Sequence, residues 1–165
     1  MATDRILRGD RVVLRAAEEA DAPALLEILR EPAVAAWWGS NELSEVLQEL
    51  HVSMTIEVGG EVAGLLLVHE ETEPDYPSVA LDIALATRFQ GQGIGPEALR
   101  LVIRDHVERG HHRFTIDPTV SNEHAVRAYA AVGFKPVGIL RQSERDPDGG
   151  WRDAVLMDLL AGELT

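Results

Sequence analysis

Three glycines crowd into Gln90-Gly91-Gln92-Gly93-Ile94-Gly95, between an alternating apolar stretch and a long helical pattern. Glycines let successive backbone N–H groups converge on one anion, and a helix starting just behind them adds roughly half a positive charge. Pro96 suits the first turn of that helix, where a missing N–H costs nothing. The segment has the chemistry of a phosphate nest, with a plain tight strand-to-helix connection as the alternative. Two familiar nests fail residue by residue. A P-loop would end Gly-Lys-Ser/Thr, and no such run occurs. A dinucleotide fingerprint would need a third glycine three residues after Gly93, where Pro96 stands.

A second set of residues could move protons. Along Val79 to Ala86, Val79, Leu81, Ile83 and Leu85 fall on one side of a strand, and Ala80, Asp82, Ala84 and Ala86 on the other. Asp82 then points into a lane of alanines with room beside it for a ligand, although aspartate is a poor strand residue. Such a carboxylate could take the proton of an alkyl ammonium, whose pKa is about 10.4. An Asp paired to an Arg or a backbone donor is the alternative. Tyr129, taken alone, reads as a half-buried helix tyrosine. Asp117-Pro118 reads as a turn with a local side-chain hydrogen bond, and Trp37-Trp38 as core packing. The six histidines, His51, His69, His106, His111, His112 and His124, form no His-Glu-x-x-His and have no cysteine nearby, so no metal site is expected. His111-His112 is expected in a solvated helix-strand connection.

The elements that must position these residues follow from periodicity. Arg11 to Arg15 reads as a first strand and Ala22 to Arg30 as a helix, opening near Asp21 and stopping at Glu31-Pro32. A second helix follows Ser40-Asn41, with Leu43, Val46, Leu47 and Leu50 on a stripe expected to face the core. Val52 to Val58 and Glu61 to His69 flank Gly59-Gly60, a tight hairpin. Glu70 to Pro77 is acidic and proline-interrupted, hence a loop. Then come the strand Val79 to Ala86, the glycine turn, the helix Pro96 to Arg109, the strand Phe114 to Asp117 and the helix Asn122 to Val132, ending at Gly133. Phe134 to Leu140 pairs with Trp151 to Leu160 across a turn at Ser143 to Gly150. This is an α/β chain with a mixed, largely antiparallel central sheet flanked by helices and one βαβ unit. No repeat or linker divides it, so residues 1–165 are expected to form a single domain.

Composition bounds the function. At 165 residues, 45% of them hydrophobic and 26% charged, the chain is of ordinary globular make-up. No apolar run approaches the roughly 20 residues of a membrane span, and Met1 to Arg5 lacks a signal-peptide core, so a cytoplasmic protein is expected. With no cysteine, disulfides, thiolate metal sites and a cysteine nucleophile are excluded. A formal charge of −13 argues against nucleic acid as a partner. The acidity either serves solubility or faces a polyamine-like substrate.

The glycine turn resembles the signature of the GNAT superfamily of acyl-CoA N-acyltransferases: Gln or Arg, two residues, Gly, one residue, then Gly or Ala. Gln90, Gly93 and Gly95 match it. Asp117 to Phe134, including Asn122, Ala125 and Tyr129, is similar to a second stretch of that family, about 25 residues on and in the right order. The resemblance implies a splayed strand pair holding acyl-CoA, with acetyl-CoA as co-substrate. Ile83, Ala84 and Leu85 would pair with the pantetheine arm in the manner of strand addition. Gln90, Gly91, Gln92, Gly93, Ile94 and Gly95 would hold the pyrophosphate, Asn122 and Ala125 would lie along the arm, and Tyr129 would protonate the departing thiolate. An acyl-enzyme is not expected.

A narrower likeness concerns the acceptor. Trp37-Trp38-Gly39, Asp82 and Asp117-Pro118 look like aminoglycoside 6'-N-acetyltransferases, which implies Asp82 as base, Asp117 as a substrate carboxylate and the tryptophans at the cleft. A competing likeness rests on Leu14-Arg15, Gly138 to Arg141 and Gly149 to Leu156, which look like ribosomal-protein N-terminal alanine acetyltransferases. A non-catalytic CoA-binding domain is a further alternative. The acceptor is expected to be a small cationic amine, the protein a monomer or homodimer, and Glu70 to Asp75 either a guard of the cleft or a solvated loop.

Overall fold

In a computed structural model that describes residues 5–165, one eight-stranded sheet organises the chain in the order β1-β2-β3-β4-β5-β6-β8-β7. The strands are β1 (Leu7–Arg8), β2 (Val12–Ala16), β3 (Ser53–Val58), β4 (Glu61–Glu71), β5 (Ser78–Leu85), β6 (Arg113–Ile116), β7 (Lys135–Arg145) and β8 (Trp151–Leu160). Among the described residues only β5 and β6 pair in parallel. The helices are α1 (Ala22–Leu29), α2 (Pro32–Trp38), α3 (Leu43–Gln48), α4 (Ile94–Glu108) and α5 (Glu123–Val132).

The central strand β4 shows why the sheet is covered on both faces. Its run Ala63 to Val68 is buried throughout, as a strand packed on two sides must be. Leu66 and Val68 join a core with α4 and α5, through Ile94, Leu99, Ile103 and Val132. Leu65 and Leu67 point the other way, into a core with Leu25, Leu29, Val34 and Val46 of α1, α2 and α3. Strand alternation thus assigns α4 and α5 to one face and α1–α3 to the other.

The hairpin at Gly59-Gly60 has φ of 60° and 80°, the two positive values a tight two-residue turn requires. Three local expectations need correction. Pro32 does not merely stop α1. Glu31 is extended (φ −60°, ψ 133°), as the residue before proline prefers, and Pro32 then opens α2. The apolar stripe of α3 does not face the core as a whole. Val46 is buried, but Leu43 and Leu47 are 43% and 40% exposed, because a six-residue helix on α1 has room to bury only one position. The loop after β4 begins later than its composition suggests, since Glu70 and Glu71 still pair with Val79 and Ser78.

Candidate active site

The site begins where β5 and β6 part. They share two register pairs, Val79 with Phe114 and Ala80 with Thr115; β5 then runs on to Leu85 while β6 ends at Ile116. Ala86 N–H donates to the Ala63 carbonyl at 2.9 Å. With the unbroken β4–β5 register, alternation turns the backbone groups of Asp82 and Ala84 toward β4, and those of Ile83 and Leu85 into the splay. The side chains agree: Ile83 N–H donates to Asp82 Oδ1 at 3.0 Å, and Gln90 Nε2 donates to the Leu85 carbonyl at 3.0 Å. Ile83 and Leu85 therefore turn backbone groups into the splay, where an inserted arm could pair with them, whereas the backbone groups of Ala84 turn to β4 and leave only its small side chain there.

Next comes the glycine turn. Gly91 (φ 73°) and Gly93 (φ 79°) occupy the left-handed region, where only glycine is unstrained, and Gly93 caps the 15-residue α4. A Cβ on Gly95 would stand 3.5 Å from Leu85 Cδ1, an ordinary contact. Glu97, in the first turn, accepts Arg11 N–H at 2.8 Å and Val12 N–H at 3.0 Å, which fastens the helix start to β2. Farther on, Asn122 Oδ1 accepts Ala125 N–H at 3.3 Å and caps α5, which fixes the height of Tyr129 two turns later.

These parts line a cavity of about 1020 Å³. One wall is Gln90, Gly91, Gly93–Gly95, Asn122, Ala125 and Tyr129; the opposite wall is Ala33, Val34, Trp37 and Trp38 of α2. Asp82–Leu85 and Asp117 lie between, and Glu144–Pro147 and Arg152 close the top. Tyr129 packs in the α4–α5 core and Val34 in the other, so the cavity passes through the sheet at the splay. Two ligands could enter from opposite faces and meet beside Asp82. The open strand edge, left-handed glycines and helix start fit the arm and phosphates of a CoA thioester. Of the residues expected to hold it, only Gln92 is not on the cavity wall; its amide donates to the Arg88 carbonyl at 2.8 Å.

Charge in the cleft is arranged for proton transfer. Asp82 is exposed to the cleft, yet the protein groups crowding its carboxylate desolvate it; this, reinforced by Asp117, raises its pKa from the ordinary 3.8 to about 7 despite the Ile83 N–H, and Glu144 and Glu49 push the same way. Desolvation by the surrounding protein also raises Asp117, itself open to the cleft, with Glu144 adding to it. Neither carboxylate has an Arg or Lys acting on it among the described residues. Tyr129 is pushed far up, first by burial and then by Asp82 and Asp117, so it stays a protonated donor.

Glu144 and Arg152 are site residues that sequence reasoning did not single out. They face each other across the β7–β8 ladder, whose register slips twice, between Pro136 and Gly138 and between Leu140 and Glu144. Both slips lie beyond the pair as seen from the turn; the sequence hides the pair because the composition of Ser143 to Gly150 suggests a turn, whereas β7 runs on to Arg145 and places Glu144 in the ladder. Conversely, no residue of Glu70–Asp75 lines the cavity. Glu70 instead meets His106 at 3.2 Å and His111 at 3.1 Å at the far end of β4. His111 is therefore not solvated as expected: its side chain is 10% exposed, held between sheet and helix end. Among the described residues no cluster of His, Cys, Asp and Glu could hold a metal ion, and no helix is long and apolar enough to cross a membrane.

The comparisons with known proteins agree with this geometry. No curated protein matches the chain in sequence. A protein from T. thermophilus assigned as an acetyltransferase has a similar structure, with a TM-score of 0.85 at 29% identity over 99% of this chain and 93% of that one. Mycobacterium smegmatis RimJ in complex with CoA-disulfide aligns with a TM-score of 0.82 at 23% identity, over 97% of this chain and 88% of its own. Ribosomal-protein-S5-alanine acetyltransferase from Vibrio fischeri gives 0.82 at 18%, over 98% and 100%. The model of the Acetyltransferase (GNAT) family matches residues 14–134, which takes in the splay, the glycine turn and all of α5. The chain belongs to the GNAT acetyltransferase family and is an N-acetyltransferase with acetyl-CoA as its co-substrate.

Proposed function

We propose that this chain, acting as one acyl-CoA N-acyltransferase domain in the cytoplasm as a monomer or homodimer, acetylates a primary amine of a small cationic acceptor. The 6'-amine of an aminoglycoside is the leading example. The observation that carries this reading is that Asp82 and Asp117, at the point where the two halves of the cleft meet, have no cationic partner among the described residues. Acetyl-CoA supplies an activated acetyl thioester. Ile83 and Leu85 would hold its arm, and Gln90 to Gly95 with the start of α4 its phosphates. Asp82, directly or through water, takes the proton that the ammonium must lose before the nitrogen can attack. Asp117 and the tryptophans Trp37 and Trp38 orient the acceptor. Ile83 N–H, now bonded to Asp82 Oδ1, would polarise the thioester carbonyl. Tyr129 returns a proton to the departing sulfur. No residue needs to carry the acyl group, and no cysteine is present to do so.

A second reading, a peptide or protein N-terminus of the ribosomal-protein alanine type as acceptor, is favoured by one observation. A base near 7 suits an α-amine, at about 7.7–8.0, better than an alkyl amine at about 10.4. Thiol release from acetyl-CoA, measured with kanamycin-like sugars, polyamines and N-terminal peptides, separates the readings. Turnover of the sugars supports the first, turnover of peptides alone rejects it for the second, and no turnover with any amine points to a CoA-binding domain without catalysis.

A further inference from the structure

The helix α2 is seven residues long and contributes the acceptor-side wall, yet Val34 is its only buried residue. So short a helix is not stable by itself. Its last turn is held from the far end of the sequence. Arg152 Nη1 donates to the Ala36 carbonyl and Nη2 to the Trp37 carbonyl, each at 2.7 Å, and the guanidinium lies 5.6 Å from the Trp37 ring centre. The same group donates through Nε to Glu144 Oε2 at 3.0 Å, and that oxygen also accepts the Thr119 hydroxyl at 2.8 Å. One guanidinium thus ties together α2, the β7–β8 hairpin and the loop after β6, with its side chain 14% exposed.

We infer that Arg152 is a positioning residue that sets the acceptor side of the cleft. It fixes the placement of Trp37 and Trp38, and it pairs with Glu144, whereas Asp82 and Asp117 have no cationic partner among the described residues. The planar fork suits two successive carbonyls and a carboxylate; a lysine ammonium, a compact charge on a flexible stem, does not reproduce it. The inference rests on the acceptor amine entering along α2, as proposed above.

The test compares wild type, Arg152→Lys and Arg152→Ala by three measurements: hydrogen exchange of the α2 amides without ligands, steady-state kinetics with the best amine, and acetyl-CoA binding by calorimetry. For Arg152→Ala, exchange within residues 33–38 should be at least about tenfold faster while α1 and α4 stay protected. The acceptor KM should rise about tenfold, with kcat within about threefold and acetyl-CoA affinity within about twofold of wild type. Arg152→Lys should recover less than half of the KM change. Unchanged α2 exchange and unchanged acceptor KM in Arg152→Ala would overturn the inference, as would full recovery by lysine. If the alanine variant loses protection throughout, the lysine variant is judged by the same criteria. A wild-type protein that acetylates no amine would refute the acceptor reading, while the exchange measurement would still decide whether Arg152 holds α2.

Discussion

Replacing Asp82 with asparagine keeps the size of the side chain and removes its ability to take a proton. The expected loss is that of a general base, about 10² to 10⁴ in kcat, or about 3 to 5 kcal/mol of barrier. The pH dependence is the sharper measurement. With a pKa of about 7, the base form falls to about a tenth at pH 6 and a hundredth at pH 5, so the wild-type rate should drop tenfold per unit below neutrality. The acceptor ammonium titrates too, and Asp117→Asn separates the two. Removing that neighbouring charge lowers the Asp82 pKa and moves the enzyme's limb to lower pH, leaving the acceptor's in place. Stability carries the opposite sign from activity. The folded-state pKa lies above the unfolded one, so what Asp82 contributes is complete below about 3.8 and lost as pH rises through 7. Asp82→Asn should therefore melt higher than wild type at pH 8, with the gap closing toward pH 4. Thiol-release kinetics between pH 5 and 9 and thermal melts decide the matter. An Asp82→Asn enzyme with the wild-type rate and pH limb would refute the base assignment.

Other substitutions test other parts. Tyr129→Phe should lower kcat by about 10² or more at saturating substrates with acetyl-CoA affinity nearly unchanged; an unaltered kcat would remove the acid role. Gly93→Ala forces a side chain into φ 79°, at about 1–2 kcal/mol, and should weaken acetyl-CoA binding in calorimetry, whereas Gly95→Ala, with its Cβ 3.5 Å from Leu85 Cδ1, should bind as wild type. Asp21→Ala breaks the paired contact with Arg15 at 2.7 and 2.8 Å and also deprives Glu18 N–H and Thr55 of an acceptor. Urea unfolding at pH 7 should show a loss of about 3–5 kcal/mol. Because Arg15 holds the Asp21 pKa below its ordinary value, that difference should shrink as pH falls through the carboxylate range.

The glycine turn was legible in the sequence because its demands are local. Positive φ at Gly91 and Gly93, a helix start at Ile94 and the capping Asn122 each depend on a few adjacent residues, and they mark the cofactor half of the cleft. Asp82 was legible for a similar reason: period-two alternation on β5 set it apart from the apolar face. The acceptor half was not legible, because its residues meet only through tertiary contacts. Glu144 lies in a stretch whose composition suggests a turn but which β7 extends through to pair with Arg152, and Arg152 then reaches carbonyls more than a hundred positions away. The Asp82 pKa likewise depends on Asp117 and Glu144, which no spacing brings near it. The sequence by itself determined the glycine turn before α4 and the set-apart position of Asp82 on β5. Only the tertiary structure decided how that carboxylate is tuned and how the acceptor wall is held, since burial and charge coupling exist only once distant segments pack.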